Sequence, residues 1–420
     1  MSEANSQKFL DIMKIIQENI LQFLKKETNS EDNFKILEDI FKDTKIKENK
    51  HELLSLLHLI SRLANGYHLF VHILDKIELI IQYLKKDMKT HFTNSEIFNI
   101  FKSNKKIILF LAEEQIIIFD DYIVKKITTT PKYVNAGYPQ YFHPEIQPFV
   151  KKKWFTKYEV DKNKWILEIR RKLPENFYEK RKKGENDTEL CEMIRKCKIK
   201  EFVMYINQCN ISPNAKIQPS IYETNPFLIK KQVHLLNINQ KGIYQFFPCT
   251  VQLDGLSMIE YAVFYGSFQI YDYLRFKVDD LKESLWPLSI YSQNLRLIHS
   301  FEDDIVDLND NTDYKLAFYE SIKCHNDDIE NYFLNNFLQE EEVKKWPKTI
   351  YQSLKYYNFE FLKNELIDES LFLELCKNDH CKLVDSLLKG KVIDINQKDI
   401  YQFFCYSIFK SAFFNKIHYS

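Results

Sequence analysis

The chain has 420 residues, with 59 basic and 59 acidic side chains and 45% hydrophobic residues. That length accommodates about two or three domains, or one domain plus a repeat array, and the apolar content excludes wholesale disorder. The charge balance excludes a global pull toward nucleic acid or an anionic membrane, so any such preference has to be local.

The seven glycines are scattered at positions 66, 137, 184, 242, 255, 266 and 390, and none falls in a GxGxxG, GxxxxGK or GxSxG pattern. Phosphate-cradling loops and nucleophile elbows need glycine where the backbone takes positive φ or approaches a ligand closely. Most nucleotide-binding enzymes and α/β-hydrolases are therefore disfavoured. The segment MSEANSQKF shows no signal peptide. The most apolar run, Ile107 to Val124, is interrupted by Glu113, Glu114, Asp120 and Asp121, so no transmembrane helix is expected. The eight cysteines then read as reduced thiols of a cytoplasmic protein.

From about residue 6 to 128 the pattern is helical. Phe9, Ile12, Met13, Ile16, Ile20, Phe23 and Leu24 share one face. Leu53, Leu56, Leu57, Ile60 and Leu63 form a second stripe, and Phe70, Ile73, Leu74, Ile77 and Ile80 a third. Thr28 with Glu31 and Thr93 with Glu96 fit the capping box. Residues 1–128 are read as an N-terminal domain of about five or six helices. Residues 129–187 are a connector punctuated by Pro131, Pro139, Pro144, Pro148 and Pro174, with one or two short helices expected. Between Lys151 and Lys183 there are 13 Lys/Arg and five Asp/Glu, with Trp154, Phe155, Tyr158 and Trp165 among them.

From 188 to 398 a weak repeat appears. An anchor is followed eight and twelve positions on by apolar residues: Ile194/Phe202/Ile206, Ala262/Ile270/Leu274, Ser289/Leu297/Phe301, Ser321/Ile329/Phe333 and Leu375/Leu383/Leu387. Ser353/Phe361 keeps only the first spacing. This is the pattern of helix pairs whose small first-helix residue admits the partner helix and whose later residues bury against the next repeat. Residues 229–254 read as an extra loop, and 399–420 as an aromatic tail or incomplete repeat.

Two segments resemble the ankyrin repeat. Gly255-Leu-Ser-Met-Ile-Glu-Tyr-Ala262, continuing to Gly266, Ile270 and Leu274, resembles the G-x-T-P-L-H-x-A opening, with Met258 and Glu260 in place of Pro and His. Lys382 to Gly390 followed by Asp394-Ile-Asn396 resembles the second helix, its glycine stop and the entry to the next turn. The repeat-defining residues are Gly255, Ala262, Gly266, Ile270, Leu274, Leu383, Leu387, Gly390 and Asn396. The whole chain also resembles a large protist family of ankyrin-related proteins without an assigned biochemical function. Glu48 to Ile60, Asn94 to Ser103, Gly184 to Asp187, Pro219 to Thr224 and Ser284-Leu-Trp286 carry that likeness. It implies an all-α fold, a helical N-terminal domain followed by an α-solenoid of divergent ankyrin-type helix pairs, and no catalytic residues.

Candidate chemistry is sparse. Cys376, His380 and Cys381, with Cys324-His325 upstream, bring metal ligands close in sequence, but Cys376 occupies a small-residue slot of the repeat and reads as a buried thiol. No HExxH or QxCxG occurs, and His58, His68 and His72 fall on or beside helical stripes. No metal, cofactor or enzymatic activity is expected. The function expected is a protein-protein interaction scaffold working through the repeat surface, with turn regions 207–214, 303–313 and 389–398 as candidate contacts. The alternative is a nucleic-acid or anionic-membrane adaptor acting through segment 151–183, with Lys151, Lys152, Lys153, Arg170, Arg171 and Lys172 as the anionic-partner patch.

Overall fold

The computed structural model describes residues 2–26, 31–66, 73–151, 173–232, 256–278, 285–305, 312–338, 343, 346–363 and 367–389. Among them the chain is all-helical, with an isolated antiparallel bridge between Lys216 and Ser257 in place of any strand. The chain divides into two compact units that are not contiguous in sequence. Unit 1 combines Met1–Gly66, Asp75–His91 and Tyr314–Ser420; unit 2 combines Tyr67–Leu74 and Phe92–Asp313.

Unit 1 opens with α1 (Ser2–Lys25), α2 (Glu31–Asp43), α3 (Lys50–Gly66) and α4 (Ile73–His91), the last with its first two residues assigned to unit 2. The stripe read along α1 is buried at Phe9, Met13, Ile16, Ile20, Phe23 and Leu24, while Ile12 is half-buried. The end of α1 is closed from outside the helix. The buried Lys76 of α4 donates to the carbonyls of Phe23 (3.0 Å), Leu24 (3.3 Å) and Lys26, which satisfies acceptors that a helix terminus leaves open.

Unit 2 begins with α5 (Asn94–Phe101), α6 (Lys105–Glu113) and α7 (Asp121–Thr129). The capping box at Thr93/Glu96 is present, and Asn104 and Asp120 cap α6 and α7 through their side chains. Among its described residues, the stretch read as a connector with one or two helices holds four: α8 (Pro131–Asn135), α9 (Tyr138–Tyr141), α10 (His143–Lys151) and α11 (Phe177–Lys183). Two of the prolines that suggested punctuation start helices instead, and Pro148 lies inside α10. Pro131 and Pro139 stand in the first turn of α8 and α9, where the missing N–H would have had no partner.

Helix pairs follow in both units. Unit 2 holds α12 (Glu189–Arg195) with α13 (Ile199–Gln208), α14 (Pro226–Gln232), then α15 (Met258–Phe264) with α16 (Phe268–Arg275) and α17 (Leu285–Ser292) with α18 (Leu295–Ile305). The first helices pack in sequence, α12 on α15 and α15 on α17, and α13 packs on α16. Unit 1 holds α19 (Thr312–Cys324) with α20 (Asp327–Asn336), α21 (Pro347–Tyr356), and α22 (Phe372–Lys377) with α23 (Cys381–Lys389). Each anchor and each +8 and +12 residue named from the sequence is buried, Ser353 and Phe361 included. Residues 358–363 after α21 form no helix, and this is the repeat element that lacks a +12 residue.

The turn after each first helix has one construction. A single residue takes left-handed φ: Cys197 (50°), Gly266 (69°), Gln293 (50°), His325 (52°), Tyr357 (58°) and Asp379 (59°). In five of the six, the next residue's N–H returns to the carbonyl five residues back: Lys198 to Met193 (2.9 Å), Ser267 to Ala262 (2.9 Å), Asn326 to Ser321 (3.2 Å), Asn358 to Ser353 (3.0 Å) and His380 to Leu375 (2.9 Å). This is the Schellman closure of a helix.

Unit 1 ties the beginning of the chain to these turns. Gln17 of α1 donates to Asn358 Oδ1 (3.0 Å) and accepts from the Phe359 N–H (2.7 Å), while Asn358 Nδ2 donates to Glu330 Oε1 (3.0 Å) and to the Ile322 carbonyl (3.3 Å). All three side chains are buried. Burial, aided by the nearby Asp327 and Glu360, raises the Glu330 carboxyl well above its ordinary range. Asn358→Ala strips partners from Gln17, Glu330 and Ile322 together. It should destabilise unit 1 by about 2–4 kcal/mol, since each stranded buried group costs about 1–3. Urea unfolding of the intact chain, followed by circular dichroism, checks this.

Candidate functional site

The densest group of buried titratable side chains lies in unit 2, around a stretch without regular structure, residues 215–225. Two segments meet there, 184–187 and 219–224. Gly184 sits at φ +71° after α11, and the Thr224 N–H and hydroxyl both donate to its carbonyl (3.2 and 2.7 Å). A Cβ at Gly184 would lie 3.0 Å from Thr224 Oγ1, so glycine serves both the backbone angle and the close approach. Asn186 Nδ2 donates to the Gln218 carbonyl (2.8 Å), and the Ser220 hydroxyl to Asp187 (2.7 Å).

Lys105, at the start of α6, is fully buried and donates to the carbonyls of Ile221 and Glu223, each at 3.0 Å. Its ammonium lies 5.4 and 5.3 Å from the ring centroids of Tyr138 and Tyr141. Burial lowers its pKa to about 7, opposed by the Glu223 charge. Glu223 is 1% exposed; burial raises its pKa to about 7, opposed by the Asn225 N–H, Arg195 and Lys105. One carboxyl oxygen accepts from that N–H (2.9 Å), while Oε2 has no hydrogen-bond partner. Arg195 donates to the Tyr261 hydroxyl (2.7 Å) and pairs with Glu185 (3.1 Å).

Perturbed titratable groups of this kind are what catalytic sites use, but chemistry also requires access. Lys105 and Glu223 are closed off from solvent, and the ammonium is engaged by backbone carbonyls. The arrangement acts as a clamp. Lys105 and the 184–187 turn supply donors and acceptors to an irregular strand of backbone that has no helix to satisfy it. Sequence reading missed Lys105 because a lysine at a helix start looks like a solvated cap and its carbonyl partners lie 116 and 118 residues further along the chain.

A second feature is the side-chain tie between neighbouring turns. In unit 2, the Ser267 hydroxyl donates to the Ile194 carbonyl, and Asn294 Nδ2 to the Gly266 carbonyl (2.9 Å). In unit 1, His325 Nε2 bonds the Tyr356 carbonyl (2.9 Å) and His380 Nε2 the Leu354 carbonyl (2.7 Å). Each carbonyl belongs to the C-terminal turn, or the turn residue, of a neighbouring first helix. The rings of His58, Tyr357 and His380 stack in that order, with centroids 4.8 and 4.3 Å apart.

Of the repeat-defining residues, Ala262 lies buried in α15, Gly266 ends it, Ile270 and Leu274 are buried in α16, and Leu383 and Leu387 are buried in α23. Gly255, Gly390 and Asn396 lie outside the described residues. So do Lys152, Lys153, Arg170, Arg171 and Lys172 of the basic patch; Lys151 ends α10. At the described end of that segment, Arg181 is buried against Glu145 (2.8 Å), Lys180 pairs with Asp187 (2.8 Å) and Lys183 with Glu185 (3.6 Å). Of the candidate turn regions, 207–210 is exposed after α13, whereas 306–311 and 390–398 lie outside the described residues.

Near Cys376 and Cys381, burial pushes both thiols up to about 12, and the His380 Nε2 is taken by a carbonyl. Among the described residues no group of three or more His, Cys, Asp or Glu is placed to hold a metal ion, and no helix is long and apolar enough to cross a membrane. No family model matches the sequence, and neither a curated protein nor a solved structure matches the chain.

Two measurements test these readings. Lys105→Met leaves the carbonyls of Ile221 and Glu223 without a donor and should cost about 2–4 kcal/mol in urea unfolding. Burial holds His325 and His380 down to about 4 from 6.5. The unfolded chain therefore binds more protons between those values, and stability from the two rings is full above pH 6.5 and lost as pH falls toward 4. The double variant His325→Asn, His380→Gln should lose less stability than wild type across that interval, read as the difference between their melting temperatures at each pH.

Proposed function

We propose that the protein is a non-enzymatic interaction scaffold built on divergent ankyrin-like helix pairs. One observation carries this reading: successive turns are held in register by a side chain of one turn bonded to a carbonyl of its neighbour. Turns locked in a row align the helices that follow them and present variable side chains along a fixed line, which is how repeat arrays recognise partners. In unit 2 each pair adds one large exposed apolar side chain beside its second helix. These are Met204 (59% exposed) on α13, Phe276 (76%) after α16, and Leu295 (59%) opening α18. Exposed apolar side chains of this size are the anchors from which interfaces are made. At the described end of the basic segment Lys180, Arg181 and Lys183 are paired with carboxylates, which weakens the nucleic-acid or membrane alternative there.

The scaffold reading is tested by quantitative affinity capture from the cytosol of the cells that make the protein. Intact wild type is compared with Met204→Ser, Phe276→Ser, Leu295→Ser. Exposed substitutions of this type change stability by about 0.5 kcal/mol or less each, so the variant should fold. Specific partners retained by wild type should be lost from it. Equal recovery by both counts against the scaffold.

A further inference from the structure

Three helices that open successive repeat elements in unit 1, α19, α21 and α22, interlock through lysines and aromatic rings. Lys315 of α19 places its ammonium 4.9 Å from the Trp346 ring centroid at the head of α21, and Lys348 of α21 lies 4.4 Å from that of Tyr319 on α19. Lys323 of α19 reaches the Tyr356 ring (5.9 Å) and Lys377 of α22 the Tyr351 ring (5.9 Å), both on α21. Lys355 lies over Tyr351 and Tyr356 (5.7 and 5.4 Å).

The carboxylates described on these helices' shared face are Glu320 and Glu374, and each is engaged by a lysine of its own helix, Lys323 and Lys377. Lys315 and Lys348 are exposed and make no ion pair among the described residues; there a ring holds each of them. A salt bridge orders a lysine and neutralises it, whereas a cation–π contact orders it and leaves its charge intact. The face therefore presents cations whose rotamer freedom is already reduced, which lowers the entropic cost of a partner's binding. An ammonium already lies over one face of each ring, where it competes with a stacking base, while carboxylates need only the ammoniums.

The geometry points to the α19–α21–α22 face of unit 1 as a docking surface for an extended acidic polypeptide segment, with Lys315 and Lys348 as its anchors. This rests on the scaffold reading and names the chemical class of one partner.

The test uses the intact chain. Binding of a short fluorescein-labelled poly-L-glutamate peptide is followed by anisotropy across a salt series, beside an oligo-dT strand of matched charge. Poly-glutamate should bind and weaken as salt rises. The variant Lys315→Glu, Lys348→Glu should bind at least about tenfold more weakly with unchanged circular dichroism and melting temperature. Lys35→Glu, Lys86→Glu, on α2 and α4, should bind as wild type does. Absence of poly-glutamate binding, or equal binding by the Lys315/Lys348 variant, overturns the proposal. So does tighter binding of oligo-dT with quenched tryptophan emission, which would mark a nucleic-acid surface. If cytosolic partners still depend on Met204, Phe276 and Leu295, such a failure removes this surface and leaves the scaffold standing.

Discussion

The structure depends on how a helix ends. A first helix in each repeat element stops at a residue of left-handed backbone, and the chain reverses with its last carbonyls still in need of donors. Two sets of donors meet that need. The N–H after the turn returns to its own helix, and a serine, asparagine or histidine side chain of one turn reaches a carbonyl of the neighbouring element. The second set joins neighbouring helix pairs through directional bonds in addition to apolar packing. Glycine occupies the left-handed position in only one of the six turns. The other five accept the steric cost of a side chain there, and four of those side chains reach other elements: Cys197 bonds Gln269 and Asp379 lies 3.7 Å from His58. His325 bonds a neighbouring carbonyl, and Tyr357 stacks between two imidazoles.

In unit 1 the last described helix, α23, packs against α1 and α3, helices from far earlier in the sequence. The contact is specified by polar groups as well as area. Gln17 reads both the side chain of Asn358 and the backbone of Phe359, and Lys382 pairs with Glu52 at 2.6 Å. Apolar packing tolerates small slips, whereas a buried amide pair penalises a register in which its groups go unpaired.

Unit 2 meets a different difficulty, an irregular backbone stretch that is buried. Lys105 and the 184–187 turn satisfy it, with Thr224 and Asn225 forming bonds of their own. The perturbed Lys105 and Glu223 are consequences of that burial. They stand where charge serves backbone satisfaction, which separates them from a catalytic pair, whose groups must face a reacting molecule.

Much of the secondary structure and the core was legible in the sequence. Spacing of eight and twelve from each anchor picked out side chains that are buried, and the missing twelfth position after Ser353 fell in the element whose described residues 358–363 form no helix. The Thr93/Glu96 capping box formed because it needs only residues three apart. These features are local, and helical periodicity writes them directly into the order of residues. The prolines at 131 and 139 misled because proline is well placed in the first turn of a helix, and Pro148 stands inside α10 without ending it. What only the tertiary structure decided is which distant groups meet: Gln17 with Asn358, Lys105 with the carbonyls of 221 and 223, Lys348 with Tyr319. Periodicity assigns a residue to a face of its own helix; its partner across the core depends on how the whole chain packs, and a single sequence carries no record of that.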